Sequence, residues 1–177
     1  MDYVETMVNS DLVYDGRIIR VKSDTVSLVN GALAGREVVE HSGGVGIVPV
    51  DDEGNVYMVR QFRYPAGESL LEIPAGKLEY GEDPFECAVR ELSEETGFTA
   101  GEYIDLGKFY PSPGYCKEIL YIYLARDLKP GKMHLDENEF LDVVKFPLDE
   151  LVQMAMENKL ADAKTIIGIL KAKNILN

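Results

Sequence analysis

The sequence is poor in cysteine and has no long apolar run. Its 177 residues include only two cysteines, Cys87 and Cys116, which fit no zinc spacing and no disulfide framework, so we expect free thiols in a reducing compartment. No apolar run approaches the roughly 18 residues that a membrane span requires. The residues from Met1 to Glu5 lack the basic region and apolar stretch of a secretion signal. We therefore expect a cytoplasmic protein without a membrane segment.

Basic residues are also scarce, because 18 Lys and Arg stand against 31 Asp and Glu, giving a net charge of -13. Nucleic-acid binding draws on a basic surface that releases counterions, so this charge argues against a nucleic-acid partner. The same charge repels a phosphate substrate, and a divalent cation would overcome that repulsion. The length and the ordinary apolar content predict one domain over residues 1–177.

β-type segments dominate the first half of the chain, and helical segments follow. Turn dipeptides at Asp15-Gly16 and Asn30-Gly31 separate strands in an N-terminal region over residues 1–40. Further strands are predicted over residues 45–50 and 56–62, as a hairpin, and over residues 103–109, 119–125 and 142–146. Helices are predicted over residues 148–157 and after Asp162. This order indicates a mixed sheet sandwiched by helices over residues 41–177.

One further helix is marked at both ends and carries three glutamates on one face. Asp83 followed by Pro84 predicts its start, and Gly97 predicts a left-handed end. Glu91, Glu94 and Glu95 share one face at spacing i, i+3, i+4. Like charges at this spacing destabilise a helix by roughly 0.2 to 0.5 kcal/mol per pair. A helix that tolerates this destabilisation is typical of a functional site.

Carboxylates in this arrangement suit a hard divalent cation. Mg²⁺ is usually held by one or two carboxylates, while substrate phosphates and waters complete its octahedron. The alternative is a solvated acidic face on which Arg90 pairs with Glu86 and Glu94.

The segment from Gly76 to Phe98 resembles the Nudix box. That box is glycine, five residues, glutamate, seven residues, then Arg-Glu-apolar-x-Glu-Glu-x-Gly-apolar. The chain fills its positions with Gly76, Glu82, Arg90, Glu91, Leu92, Glu94, Glu95, Gly97 and Phe98. At residue frequencies near roughly 7%, seven exact matches arise by chance in about one in a million such chains. The chain therefore resembles the Nudix hydrolase superfamily.

This resemblance implies an α/β (α+β) fold, the Nudix α/β/α sandwich with a mixed β-sheet, and a requirement for Mg²⁺, with Mn²⁺ as a substitute. It implies that Glu91 and Glu95 bind the metal and that the backbone carbonyl of Ala75 completes the first site. Glu94 would join through a second ion or a water. The remaining polar box residues, Glu82 and Arg90, would hold the loop and the helix in register.

Residues outside the box resemble the ADP-ribose pyrophosphatase branch of the superfamily. Pro113 lies sixteen residues past Gly97, in a loop that includes Gly114. Glu118 follows where members of this branch carry a carboxylate that acts on the attacking water. The alternatives are an ordinary Pro/Gly turn and, for Glu118, an exposed charge at a strand edge.

Three upstream residues complete this resemblance. Arg63 is a candidate phosphate clamp, because its planar fork suits bidentate phosphate binding, and Arg36 is a candidate contact to the base or a phosphate. The alternative for each arginine is a surface ion pair. Glu72 is either a contact to a ribose or the partner of a nearby arginine.

The resemblance predicts Mg²⁺-dependent hydrolysis of the pyrophosphate bond of a nucleoside diphosphate sugar, with ADP-ribose giving AMP and ribose 5-phosphate. Alternative substrates are GDP-mannose, ADP-glucose and NADH. A non-catalytic Nudix module that senses ADP-ribose is a second alternative, and an RNA 5′-end hydrolase conflicts with the acidity. Members of this branch are typically homodimers that dimerise through an N-terminal antiparallel β-sheet, so we expect a homodimer. We also expect that the protein binds neither nucleic acid nor membrane.

Overall fold

A computed structural model describes residues 2–177. Over these residues the strands are β1 (Thr6–Asp15), β2 (Arg20–Ser27), β3 (Leu33–Glu40), β4 (Gly44–Pro49), β5 (Asn55–Arg63), β6 (Glu68–Glu72), β7 (Ala75–Lys77), β8 (Phe98–Phe109), β9 (Leu120–Pro130) and β10 (Leu141–Pro147). The helices are α1 (Pro84–Thr96), α2 (Leu148–Met156) and α3 (Ala163–Leu176). Chain contacts define an N-terminal unit, residues 2–43 and 110–119, and a larger unit, residues 44–109 and 120–177. The single domain stays a prediction.

The N-terminal unit is an antiparallel sheet in the order β1-β2-β3. The predicted turns connect its strands: Gly16 donates its N–H to Ile19 O, and Gly31 has a left-handed φ of 84°. Every residue of β1 is exposed. Residues 110–119 lie along β3, because the N–H of Val39 donates to the carbonyl of Tyr115 at 2.8 Å. The expected N-terminal antiparallel sheet is therefore present, and its use in dimerisation stays a prediction.

The larger unit contains two sheets, in the orders β7-β4-β9-β8 and β10-β5-β6. The predicted hairpin of residues 45–50 and 56–62 is wrong, because these segments meet in one isolated bridge, Val50 to Val56, and then enter different sheets. The two strands enter different sheets because they differ in burial. Strand β4 is buried at every position and pairs in parallel with β9, as expected for a strand covered on both faces. Strand β5 alternates between buried and more exposed residues.

Alternate residues of β4 serve two hydrophobic cores. Val45 and Ile47 pack in the core with α1, and Val48 packs in the core that includes residues of α2 and α3. Successive strand side chains point to opposite faces, so helices cover both faces of this sheet. The predicted α/β/α sandwich with a mixed sheet is confirmed.

Helix α1 begins and ends where local chemistry predicts. The Asp83 side chain accepts hydrogen bonds from the N–H groups of Phe85 and Glu86, and Gly97 is left-handed with a φ of 72°. Both cysteines are free. Over residues 2–177, no helix is long and apolar enough to cross a membrane.

Candidate active site

Helix α1 places Glu91, Glu94 and Glu95 in two environments. Glu91 and Glu95 are buried, with Glu95 only 1% exposed, whereas the Glu94 side chain is 38% exposed. Residues four apart lie on the same helix face, so the two buried carboxylates are neighbours along α1. The face therefore has an inner pair of carboxylates and an outer one.

Strand β7 brings its backbone against this inner pair. The N–H of Ala75 donates to Glu95 Oε2 at 2.9 Å. A Cβ atom at Gly76 would lie 1.8 Å from Glu91 Cδ and 1.9 Å from Glu91 Oε1. Glycine is therefore required for the Glu91 carboxylate to reach this position. Ala75 makes its contact with Glu95 through the N–H, and a metal bond from its carbonyl stays a prediction.

Burial raises the pKa of Glu95 to about 8; the Ala75 hydrogen bond lowers it, and the negative charges of Glu139 and Glu91 raise it further. Burial also raises the pKa of Glu91, against the lowering effect of Arg90. Ionised carboxylates that are buried together are costly unless a cation compensates them. The pair therefore has the donor chemistry that a divalent cation takes.

Side chains alone supply only part of a metal coordination shell. In the described part of the chain, no group of three or more His, Cys, Asp or Glu residues is arranged to hold a metal ion. Mg²⁺ commonly binds one or two carboxylates and completes its shell with waters and phosphates. Glu91 and Glu95 fit that smaller protein share.

Arg90 ties the start of the box to the helix. Its Nε and Nη2 donate to the two Glu82 oxygens at 2.9 and 3.1 Å, and its Nη1 contacts Glu91 at 2.7 Å and Glu94 at 2.8 Å. Glu82 also accepts the N–H of Glu79 at 2.8 Å. The Arg90 hydrogen bonds lower the pKa of Glu82 to about 2. These contacts link the loop before α1 to one inner carboxylate, Glu91, and to the outer one, Glu94.

One acidic residue near the inner pair was missed by the sequence reasoning. The charge of Glu139 contributes to the raised pKa of both Glu91 and Glu95, so its carboxylate lies within electrostatic reach of them. Gln61 Nε2 donates to Glu139 Oε1 at 3.4 Å, beside a cavity of about 450 Å³. The segment before β10 has no apolar period, and its acidic residues, Asp136, Glu137 and Glu139, were the available signal.

Arg63, at the end of β5, is paired with Glu72. Its Nε and Nη2 donate to the Glu72 oxygens at 2.7 and 2.9 Å, and the Lys164 ammonium contacts the same carboxylate. Burial alone would raise the pKa of Glu72, but these cations lower it. Glu72 is thus the partner of a nearby arginine, one of the two alternatives set out for it. Arg63 keeps its Nη1 without a hydrogen-bond partner among the described residues.

The other predicted site residues belong to the N-terminal unit. Arg36 forms an ion pair with Glu5, and the Arg36 side chain is 40% exposed, which matches the surface-pair alternative. Glu118 Oε1 lies 3.6 Å from His41 Nδ1. Pro113 and Gly114 lie in the loop beside β3, both exposed. The functional roles of these four predicted residues stay predictions.

Comparison with known proteins gives a consistent set of similarities. The model of the NUDIX domain matches residues 40–167. The chain is 40% identical over 169 residues to "Methanol dehydrogenase activator" of Bacillus methanolicus, covering 94% of this chain and 91% of that protein. It is also 40% identical over 167 residues to "ADP-ribose pyrophosphatase" of Bacillus subtilis (strain 168), covering 93% and 90%.

A solved structure is similar over nearly its whole length. The crystal structure of an ADP compounds hydrolase superposes with a TM-score of 0.85 and 27% sequence identity, covering 97% of this chain and 94% of that one. The similarity therefore extends to the strands and helices outside the Nudix box.

Proposed function

The chain belongs to the Nudix family, whose domain model matches residues 40–167, and on that premise we propose that it hydrolyses ADP-ribose to AMP and ribose 5-phosphate. The observation that carries the proposal is the buried pair of carboxylates, Glu91 and Glu95, against the Ala75–Gly76 backbone. The identity to an ADP-ribose pyrophosphatase supports the choice of substrate.

Nudix hydrolases generally use a divalent metal, and we propose Mg²⁺, with Mn²⁺ as a substitute. Glu91, Glu95 and the Ala75 carbonyl would hold it, and Glu94 would contribute through a water or a second ion. When bound, such an ion neutralises charge on the diphosphate oxygens. Glu82 and Arg90 would keep the box loop and α1 in register, through the four hydrogen bonds between Arg90 and the box glutamates.

Two carboxylates are candidates for the proton acceptor from the attacking water. Glu118 is proposed from the branch resemblance. Glu139 is proposed from its charge interaction with Glu91 and Glu95. A general base must come within hydrogen-bond reach of its proton, directly or through one water. The matched variants Glu118→Gln and Glu139→Gln decide between them, because loss of the true base lowers kcat and removes the acidic limb of its pH profile.

Arg63 is proposed to bind a phosphate through its free Nη1 edge. A guanidinium has two edges for bidentate contacts, and Glu72 takes the one formed by Nε and Nη2. Glu72 thus orients the arginine, and its almost complete burial leaves it little surface for a ribose. Arg36, Pro113 and Gly114 are proposed as further substrate contacts, from the branch resemblance alone.

The proposed assembly is a homodimer in the cytoplasm that binds neither nucleic acid nor membrane. Exposed apolar side chains on β1, among them Met7, Val8 and Leu12, support a protein interface there, because exposed apolar clusters mark interaction sites. The net charge of -13 supports the expectation about nucleic acid.

A second candidate function is regulation of an enzyme, as the name of the Bacillus methanolicus relative states for that protein. Its identity to this chain equals that of the B. subtilis pyrophosphatase, 40% in each case. Turnover separates hydrolysis from regulation by binding alone. A regulator that only senses its ligand would bind ADP-ribose with Mg²⁺ and release no AMP.

The test compares kcat/KM for ADP-ribose, GDP-mannose, ADP-glucose and NADH with Mg²⁺, for the wild type and for Glu95→Gln. We expect ADP-ribose to be preferred and the variant to lose kcat by orders of magnitude while its melting curve stays cooperative. Wild-type turnover of ADP-ribose that Glu95→Gln leaves intact contradicts the metal role. Digestion in ¹⁸O-labelled water then shows which phosphorus water attacks.

A further inference from the structure

Lys164 reaches the Arg63–Glu72 pair from helix α3. Its side chain is 11% exposed, and its ammonium contacts the Glu72 carboxylate, which is only 1% exposed. Glu72 therefore pairs with two cations at once. One is Arg63 on strand β5, and the other is Lys164 on helix α3, which lies 92 residues after Glu72 in the chain. The three side chains form a charge cluster within the larger unit, in which Glu72 is buried and the Arg63 side chain is 37% exposed.

The first turn of α3 is fixed to the end of β6, so Lys164 is not a mobile surface lysine. Asp162 caps the helix by accepting the N–H of Thr165 at 3.0 Å, and its Oδ2 lies 3.0 Å from Lys164 Nζ. The Thr165 hydroxyl, fully buried, accepts the N–H of Ile73 at 2.9 Å. Ile73 directly follows Glu72 in the chain. A side-chain contact and a backbone contact therefore join the same two elements.

The charges in the cluster decide what Arg63 offers to a ligand. A guanidinium paired with one buried carboxylate forms a neutral unit, and its attraction for a second anion is largely offset. Lys164 adds a second positive charge on the same carboxylate. Asp162 lies 3.0 Å from Lys164 Nζ, so the charges of Arg63, Glu72, Lys164 and Asp162 sum formally to zero. Without Lys164 the remaining three would carry one net negative charge, which repels a phosphate.

We propose that Lys164 is a positioning residue for the diphosphate: by sharing Glu72 with Arg63, it keeps the Nη1 edge and the charge of Arg63 available to a substrate phosphate. The inference rests on the proposed function of Arg63 and goes beyond it, because it assigns a role to the start of α3. Without Lys164, the buried Glu72 carboxylate has Arg63 as its principal cation, and Arg63 is drawn further onto Glu72.

The experiment measures binding of ADP-ribose by calorimetry in EDTA, where metal-dependent turnover is absent, together with KM and kcat in Mg²⁺. Lys164→Met is expected to weaken binding and raise KM by roughly tenfold, as loss of a charge-assisted contact does, with kcat within about twofold. Lys173→Met is the matched control, because Lys173 lies on the same helix and pairs with Asp149 at 2.7 Å, a carboxylate that is 80% exposed. The control should bind like the wild type.

Coupling to Arg63 separates positioning from a general loss of structure. In an Arg63→Met background, Lys164→Met should cause no further loss of affinity, since its effect passes through the guanidinium. An equal loss in both backgrounds overturns the proposal. If Lys164→Met leaves too little folded protein, as the loss of a buried partner can, Lys164→Gln removes the charge and keeps an N–H donor on a slightly shorter side chain. A folded Lys164→Gln protein with wild-type affinity also overturns it.

The wild type distinguishes this inference from the proposed function. If the wild type does not hydrolyse ADP-ribose with Mg²⁺, the proposed function fails. If the wild type hydrolyses it, and the folded Lys164 variants keep the wild-type KM in Mg²⁺ and the wild-type affinity in EDTA, only the role of Lys164 fails.

Discussion

Replacing Gly76 by alanine tests the site with the smallest possible change. The new Cβ would lie 1.8 Å from Glu91 Cδ, and an ordinary contact begins near 3.4 Å, so the carboxylate must retreat by about 1.6 Å. Metal–ligand bonds tolerate only about 0.2 Å of variation. A misplacement of roughly 1 Å at a reacting centre can cost about 10²-fold in rate. We therefore expect Gly76→Ala to lose about 10²-fold in kcat for ADP-ribose.

The fold should survive this substitution, because the atoms in the way belong to the end of a flexible side chain. The φ angle of Gly76 is outside the left-handed region, so alanine is allowed there and restricts the unfolded chain, an effect worth about 0.4 to 1 kcal/mol of stability. The melting temperature should thus stay near the wild-type value. Electron paramagnetic resonance of Mn²⁺ should show weaker metal binding independently of turnover.

Gly35→Ala is the control, since no described atom lies within 4 Å of a Cβ at that position. It should leave kcat and Mn²⁺ affinity unchanged. The reasoning is refuted if Gly76→Ala binds Mn²⁺ and turns over ADP-ribose as the wild type does. A Gly76→Ala protein that melts far below the control would instead show that β7 cannot accommodate the methyl group.

Two further predictions concern the box. The pKa of Glu82 is lowered to about 2, so its pairing with Arg90 contributes stability above a pH of about 4.5 that is lost as the pH falls toward 2. The wild type should exceed Glu82→Gln in unfolding free energy by about 1 kcal/mol, as for a pair partly open to solvent. This difference should shrink over that window in acid titrations, and a constant difference counts against the pairing. Burial raises the pKa of the Cys87 thiol to about 12, so iodoacetamide at pH 8 should alkylate the more exposed Cys116 first. Peptide mass spectrometry measures the order of modification, and early modification of Cys87 would contradict this prediction.

Local chemistry made helix α1 predictable from sequence. Its start depends on the Asp83 side chain and the next three residues, and its end on a left-handed Gly97, so both signals lie within a few positions of the feature they determine. The same holds for the neighbouring placement of Glu91 and Glu95, because helical periodicity fixes which residues share a face.

Long-range pairing was not predictable in the same way. The strands over residues 45–50 and 56–62 were identified, but their assignment to one hairpin was wrong, because each strand finds its partners elsewhere. Alternation and turn residues identify a strand, whereas burial on one or both faces depends on which helices cover it. Glu139 was missed for a related reason. It lies in a loop, and the tertiary fold determines which charged groups lie near a loop residue.

The sequence by itself determined the family and the carboxylates, since both depend on residue types at short, fixed spacing along one helix. Only the tertiary structure decided which charges share a partner. It buried Glu91 and Glu95 against the Ala75–Gly76 backbone and joined Arg63 to Lys164 through Glu72. Electrostatic energy depends on distance in space and on burial, and neither quantity can be read from separation along the chain.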